Sequence, residues 1–83
     1  MSKGEYRVGI NFNPSNDDMV GQIKRKAADL IDLIETIPGV QTSMSDLHGK
    51  EVGRLKALAQ TEIESAAMWA VKAATKPVPE ETK

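Results

Sequence analysis

The chain has 83 residues, 40% of them apolar and 28% charged, with a net charge of −1; this is one small domain. That balance excludes a general binder of duplex nucleic acid, which needs a basic surplus to replace counterions along many phosphates. With no Cys and a single His, His48, disulfide frameworks, thiolate zinc sites, thiol nucleophiles and two-histidine metal sites are excluded as well. No apolar run reaches the length of a signal-peptide core or a membrane span, so a soluble intracellular protein is expected.

In chain order, residues 1–13 read as an arm. Tyr6, Val8, Ile10 and Phe12 alternate with Arg7, Gly9 and Asn11, a two-residue period that predicts extended backbone lying on another surface. Asn13-Pro14-Ser15 predicts a helix start, with Asn13 capping and Pro14 in the first turn, or with Ser15 capping and Asp18 three residues on. The first helix is expected from about Pro14 to Ile37, ahead of Pro38-Gly39. Val20, Ile23, Ala27, Leu30, Ile34 and Ile37 repeat at spacings of three and four, a coiled-coil-like seam, and Asp29, Asp32 and Glu35 read as the solvated face.

Residues 38–45, PGVQTSMS, read as a turn region in which Thr42 or Ser45 caps the second helix. Gly49 and Gly53 weaken the first turns of that helix, so its firm part is expected from about Glu51 to Thr75. Its stripe is Leu55, Ala59, Ile63, Ala66, Ala70 and Ala73, flanked by Val52, Leu58, Met68, Trp69 and Val71; Pro77 ends it. The expectation is an all-α fold: an extended arm over 1–13, an antiparallel helical hairpin over 14–76 and a mobile tail over 77–83. Two helices and an arm bury too little on their own, and the small residues of AAMWAVKAA permit close helix approach, so a homo-oligomer is expected.

Enzyme templates find no support. There is no Gly-rich phosphate loop and no nucleophile beside a base, and Asp46 and His48, two apart, diverge on a helix; His48 reads as a solvent-facing loop residue. A non-catalytic protein without cofactor or metal is expected. The one cationic cluster is Lys24-Arg25-Lys26. It is either a solvated face paired with Asp29 and Glu35, or, since Lys24 and Lys26 flank the seam, a pair of rim cations facing a neighbouring subunit and an anion. Arg54 is a further candidate for anion contact, or a plain surface residue. From Pro14 to Lys26 a helix rises roughly 18 Å. Phe12 therefore meets Lys26 of another chain more readily than its own, and two-fold symmetry would duplicate each contact, as a ligand with two bases and two phosphates requires. The alternative for Phe12 is a staple holding the arm on a neighbour's helices.

RVGINFNPS, IKRKAADLID and LKALAQTEIESAAMWAVKAATKP resemble the phage anti-CBASS sponge family, the Acb/Tad helical-hairpin domain. The resemblance implies a homohexamer that sequesters, without cleaving, the cyclic oligonucleotide signals of a bacterial immune system in the cytoplasm of the infected host. It implies cyclic dinucleotides such as cyclic GMP-AMP between protomers, with Phe12 stacking on a base and Lys26 meeting phosphate; Asn11, Asn13, Pro14 and Lys24 are the neighbouring candidates. Cyclic trinucleotides would occupy separate sites, for which Arg54 is the candidate. Two other readings remain: a helical module binding a protein partner through AAMWAVKAA, and a single-strand binder stacking bases on Phe12, which the acidic balance disfavours.

Overall fold

Ser2-Lys3-Gly4-Glu5 begins a helix. In the computed structural model, which describes residues 1–38 and 46–79, α1 spans Lys3–Val8. The Ser2 hydroxyl accepts from the Glu5 amide at 3.1 Å, and the Ser2 amide donates to Glu5 Oε1 at 2.9 Å, a complete capping box. Gly9, at φ 65°, ends the helix in the left-handed conformation. The Gly9 amide donates to the Tyr6 carbonyl and the Ile10 amide to the Glu5 carbonyl, the paired bonds of a Schellman cap. The expected extended arm is therefore corrected to a capped helix. The Tyr6-Val8-Ile10-Phe12 alternation spans a helix, its cap and a turn instead of one strand.

The second element, α2, spans Asp18–Glu35 and starts four residues later than expected, because Asp17 caps it in place of Asn13 or Ser15. Asp17 Oδ1 accepts from the Met19 amide at 2.8 Å. The third, α3, spans Asp46–Ala74 and begins ahead of the expected Glu51, running through Gly49 and Gly53. The run of strong helix formers from Arg54 to Gln60 outweighs the roughly 1 kcal/mol that each Gly costs. His48 thus lies on a helix, exposed, and not in a loop. The cap expected at Thr42 or Ser45 and most of the 38–45 turn region lie outside the described residues, as does the end of the tail. Among the described residues there is no strand, and no helix is long and apolar enough to cross a membrane.

Antiparallel α2 and α3 meet in register: Lys56 Nζ donates to the carbonyls of Glu35 and Ile37, and Gln60 Nε2 donates to the Ile31 carbonyl. The Lys56 cation thereby sits on the orphan carbonyls at the end of α2. Helix α1 lies mainly against α2 and meets α3 only briefly. Gly4 is buried against Ala28, and its amide donates to Asp32 Oδ1 at 2.7 Å. One polar node ties all three helices: Lys3 Nζ reaches Glu35 Oε1 at 2.8 Å and Gln60 Oε1 at 3.1 Å, while Gln60 Nε2 donates to Glu35 Oε1 at 3.0 Å. These bonds draw the Glu35 carboxyl down from its ordinary 4.5 to about 2, with Gln60 the larger cause and Lys3 next. Asp32 and Glu35, expected on a solvated face, are instead inter-helix connectors.

The buried line of α2 is Val20, Lys24, Ala28 and Ile31, so the expected heptad seam is not the core of the single chain. Only Val20 belongs to both; Leu30 and Ile37 are exposed, and Ile23, Ala27 and Ile34 half-buried. The reason is the close approach of α1, which needs Ala28 under Gly4 and so rotates α2 by one position. On α3 the buried side chains include Gln60 and Ala67, and Gly49 is buried too, leaving Leu55, Leu58, Met68 and Trp69 outside. The Cα trace extends 67 × 27 × 12 Å, flattened in its shortest direction to less than half its breadth. A single layer leaves both broad faces of the hairpin open to solvent.

Candidate functional site

Residues 9–17 form a compact turn between α1 and α2. The Phe12 amide donates to the Gly9 carbonyl at 2.9 Å, closing the first half. Asn13 closes the second half: its Oδ1 accepts from the Asp17 amide at 3.0 Å and its Nδ2 donates to the Asp17 carbonyl at 2.9 Å. Asn16, whose amide donates to the Asn13 carbonyl, takes a left-handed φ of 54°, a conformation that Asn tolerates. Asn13 is thus an organiser of the turn. Asn11 and Pro14 stand exposed on it, and Phe12, 71% exposed, projects from it.

The three cations of α2 separate by role. Lys24 is 8% exposed; its Nζ donates to the Gly9 carbonyl at 3.0 Å and to the Phe12 carbonyl, and stands 5.2 Å from the Phe12 ring centroid. Its expected place on a rim is corrected: it belongs to the buried line. Arg25 bonds Glu5 through Nη1 at 2.9 Å and Asp29 through Nε and Nη2, so its guanidinium is occupied and its pKa raised, chiefly by the Glu5 bond. Glu5 is lowered in turn, first by the Ser2 amide and then by Arg25. Lys26 is exposed and forms no hydrogen bond or ion pair among the described residues. It follows Lys24 by two residues, about 200° around the helix, and so points away from the turn that Lys24 holds.

Arg54 lies elsewhere. It forms a forked pair with Glu51, Nε to Oε1 at 3.0 Å and Nη2 to Oε2 at 2.6 Å, which lowers the Glu51 carboxyl and raises the guanidinium. Thirteen residues of helix, roughly 20 Å, separate it from Ala67, which the antiparallel register sets opposite Lys24. The structure brings together Phe12, Asn13 and Lys24; Lys26 and Arg54 lie apart from them.

A groove of about 450 Å³ opens beside this turn, between α1 and the last turns of α3. Val8, Ala67, Met68 and Val71 supply its apolar wall and Arg7 and Thr61 part of its polar edge. Arg7 bonds Glu64 at 2.7–2.8 Å and Thr61 at 3.3 Å, fixing the α1–α3 contact. Sequence reasoning missed Arg7 and the structural role of Lys24. The S-x-x-E of residues 2–5 was the available signal, since a helix there carries Arg7 to α3. Among the described residues no group of three or more His, Asp or Glu side chains could hold a metal ion.

Compared with known proteins, residues 4–75 match the family model described as Acb2/Tad1, hairpin domain, and the match covers α2 and α3 entirely and α1 from Gly4 onward. No curated protein and no solved structure matches the chain.

Proposed function

This chain belongs to the Acb2/Tad1 hairpin-domain family, and from that membership we propose that it is an anti-CBASS sponge binding cyclic oligonucleotide messengers without cleaving them. The family match over residues 4–75 is the observation that carries the reading. In this reading the protein acts as a homohexamer in the cytoplasm of the infected bacterial host. It depletes the signal by stoichiometric sequestration, so the effector is never triggered.

The layout of the chain fits a composite pocket. Phe12 offers an exposed aromatic face on a braced turn, and Lys26 offers an unoccupied ammonium on another side of the same hairpin. Phe12 of one protomer and Lys26 of its neighbour then meet a cyclic dinucleotide between them, base on ring and phosphate on amine. Asn11 and Pro14 flank the ring, and Asn13 shapes the turn. A separate site for cyclic trinucleotides involving Arg54 requires that residue to exchange its Glu51 pair for phosphate.

The single-layer shape supports self-association, because the half-covered seam and the exposed Leu33, Leu58, Met68 and Trp69 need a partner to leave water. The test is isothermal titration with a panel of cyclic di- and trinucleotides, followed by heat denaturation and chromatography of the released ligand. The expected result is saturable binding and intact ligand. Linear products in excess over protein would make it a phosphodiesterase, and no binding across the panel would leave the alternative, a helical module for a protein partner.

A further inference from the structure

We propose that Lys24 is a positioning residue: its buried ammonium pins the Gly9–Phe12 turn and holds the Phe12 ring outward before any ligand arrives. The proposal rests on the reading of Phe12 as the stacking face, and it begins from an oddity of the core. Lys24 occupies the same buried line as Val20, Ala28 and Ile31, where an aliphatic residue would pack without desolvating a charge. Among the described residues no carboxylate neutralises it. The carbonyl dipoles of Gly9 and Phe12 and the face of the Phe12 ring take that role.

The two carbonyls converge on one amine only because the backbone reverses between them. Left-handed Gly9 starts the reversal, and the Phe12 amide closing on the Gly9 carbonyl completes it. The Asn13–Asp17 bonds then fix the exit into α2. The turn is thus held at three points, and the cation is the one that also touches the ring. An exposed aromatic side chain on a free loop would lose conformational entropy when a base stacks on it; a ring already placed avoids that loss. The lysine next in register, Lys26, does not share this duty, since it points away.

Phe12 is the only Phe of the chain, so labelling with 4-fluorophenylalanine gives one fluorine resonance reporting on this ring alone. In the unmodified protein that signal should relax like a helix residue despite its exposure; a narrow signal at the shift of the free amino acid overturns the proposal without any variant. Lys24→Met keeps the apolar stem and removes the charge and donors. Its helicity should persist, while the signal moves toward the free-amino-acid position and sharpens, and affinity for 3′,3′-cyclic GMP-AMP falls at least tenfold. Lys26→Ala should lose affinity with the fluorine signal unmoved. An unmoved signal in Lys24→Met refutes the pinning role whatever happens to affinity. A moved signal in a protein that binds no cyclic nucleotide upholds the pinning and refutes the sponge reading instead.

Discussion

Gly4 of α1 sits on the backbone of Ala28 in α2: a Cβ at Gly4 would lie 2.8 Å from both the Ala28 carbonyl carbon and Asp32 Oδ1, and closer still to the Ala28 carbonyl oxygen. The clash is with backbone, which cannot swing aside as a side chain does. Gly4→Ala should therefore destabilise the fold by about 1–3 kcal/mol, the usual range for overpacking. Gly53 is the control, because a Cβ there meets nothing within 4 Å. Gly53→Ala should stabilise by about 0.5–1 kcal/mol through helix propensity. Urea denaturation of both variants checks the pair; equal and opposite signs to these would remove the α1–α2 contact as a determinant of the fold.

Gln60 is the buried member of the Lys3–Glu35–Gln60 node, and it also donates to the Ile31 carbonyl. Gln60→Leu retains volume but removes the amide's bonds to Lys3, to Glu35 and to the Ile31 carbonyl, which keeps its helical bond from the Glu35 amide. The expected loss is about 1–3 kcal/mol, read from the denaturation midpoint at pH 7. Replacement without loss would mean that water serves the node equally well.

The same node sets an acid limb. Glu35 has a folded pKa of about 2 against an ordinary 4.5, so its pairing favours the folded chain above pH 4.5 and is lost as pH falls through that value toward 2. A plot of melting temperature against pH should decline across that window, and Glu35→Gln should flatten part of the decline. Because the carboxyl is solvent-screened, the change is a modest one. An identical acid limb in the variant would show that other carboxylates govern it.

Phe12→Ala should remove base stacking of about 1–3 kcal/mol per base, and Lys26→Ala a charge-assisted phosphate contact of about 1.5–3 kcal/mol, each twice in a symmetric pocket. Cyclic dinucleotide affinity should drop by about two orders of magnitude or more with the oligomer intact. Mixing Phe12→Ala chains with Lys26→Ala chains should restore some complete half-sites, measurable as recovered binding. If Phe12→Ala dissociates the oligomer and leaves affinity per folded chain unchanged, Phe12 is a staple.

Light scattering should give a mass near that of six chains at micromolar concentration. Leu30→Lys places a charge on the half-covered seam, outside the buried line of the single chain, and should shift that mass downward with helicity retained. A folded monomer in the unmodified protein would sink the composite-pocket reading.

Two helices, their antiparallel pairing and the family were legible in the sequence. Residues such as Asp17, Asp18 and Pro77 act locally, and helical periodicity and the RVGINFNPS and AAMWAVKAA segments need no knowledge of what lies across the fold. That Phe12 lies outside the helix that follows it was legible for the same reason, since a helix boundary is a local event. The α1 helix was legible in principle through Ser2 and Glu5, but a two-residue alternation over Tyr6–Phe12 competed with that signal, and short segments do not let periodicity decide.

What only the tertiary structure decided is which face of each helix turns inward. The sequence alone makes Lys24 and Lys26 equivalent cations beside one seam, and composition favours Ile23, Ala27 and Leu30 as the core. The choice fell to Gly4 and Ala28, 24 positions apart in sequence, whose lack of bulk lets α1 settle on α2 at one rotation. That rotation buries Lys24 under the Gly9 and Phe12 carbonyls, commits Arg25 to Glu5, and leaves Lys26, Leu30 and Ile37 outside. Packing acts between residues distant in the chain, and no pattern within one helix records it.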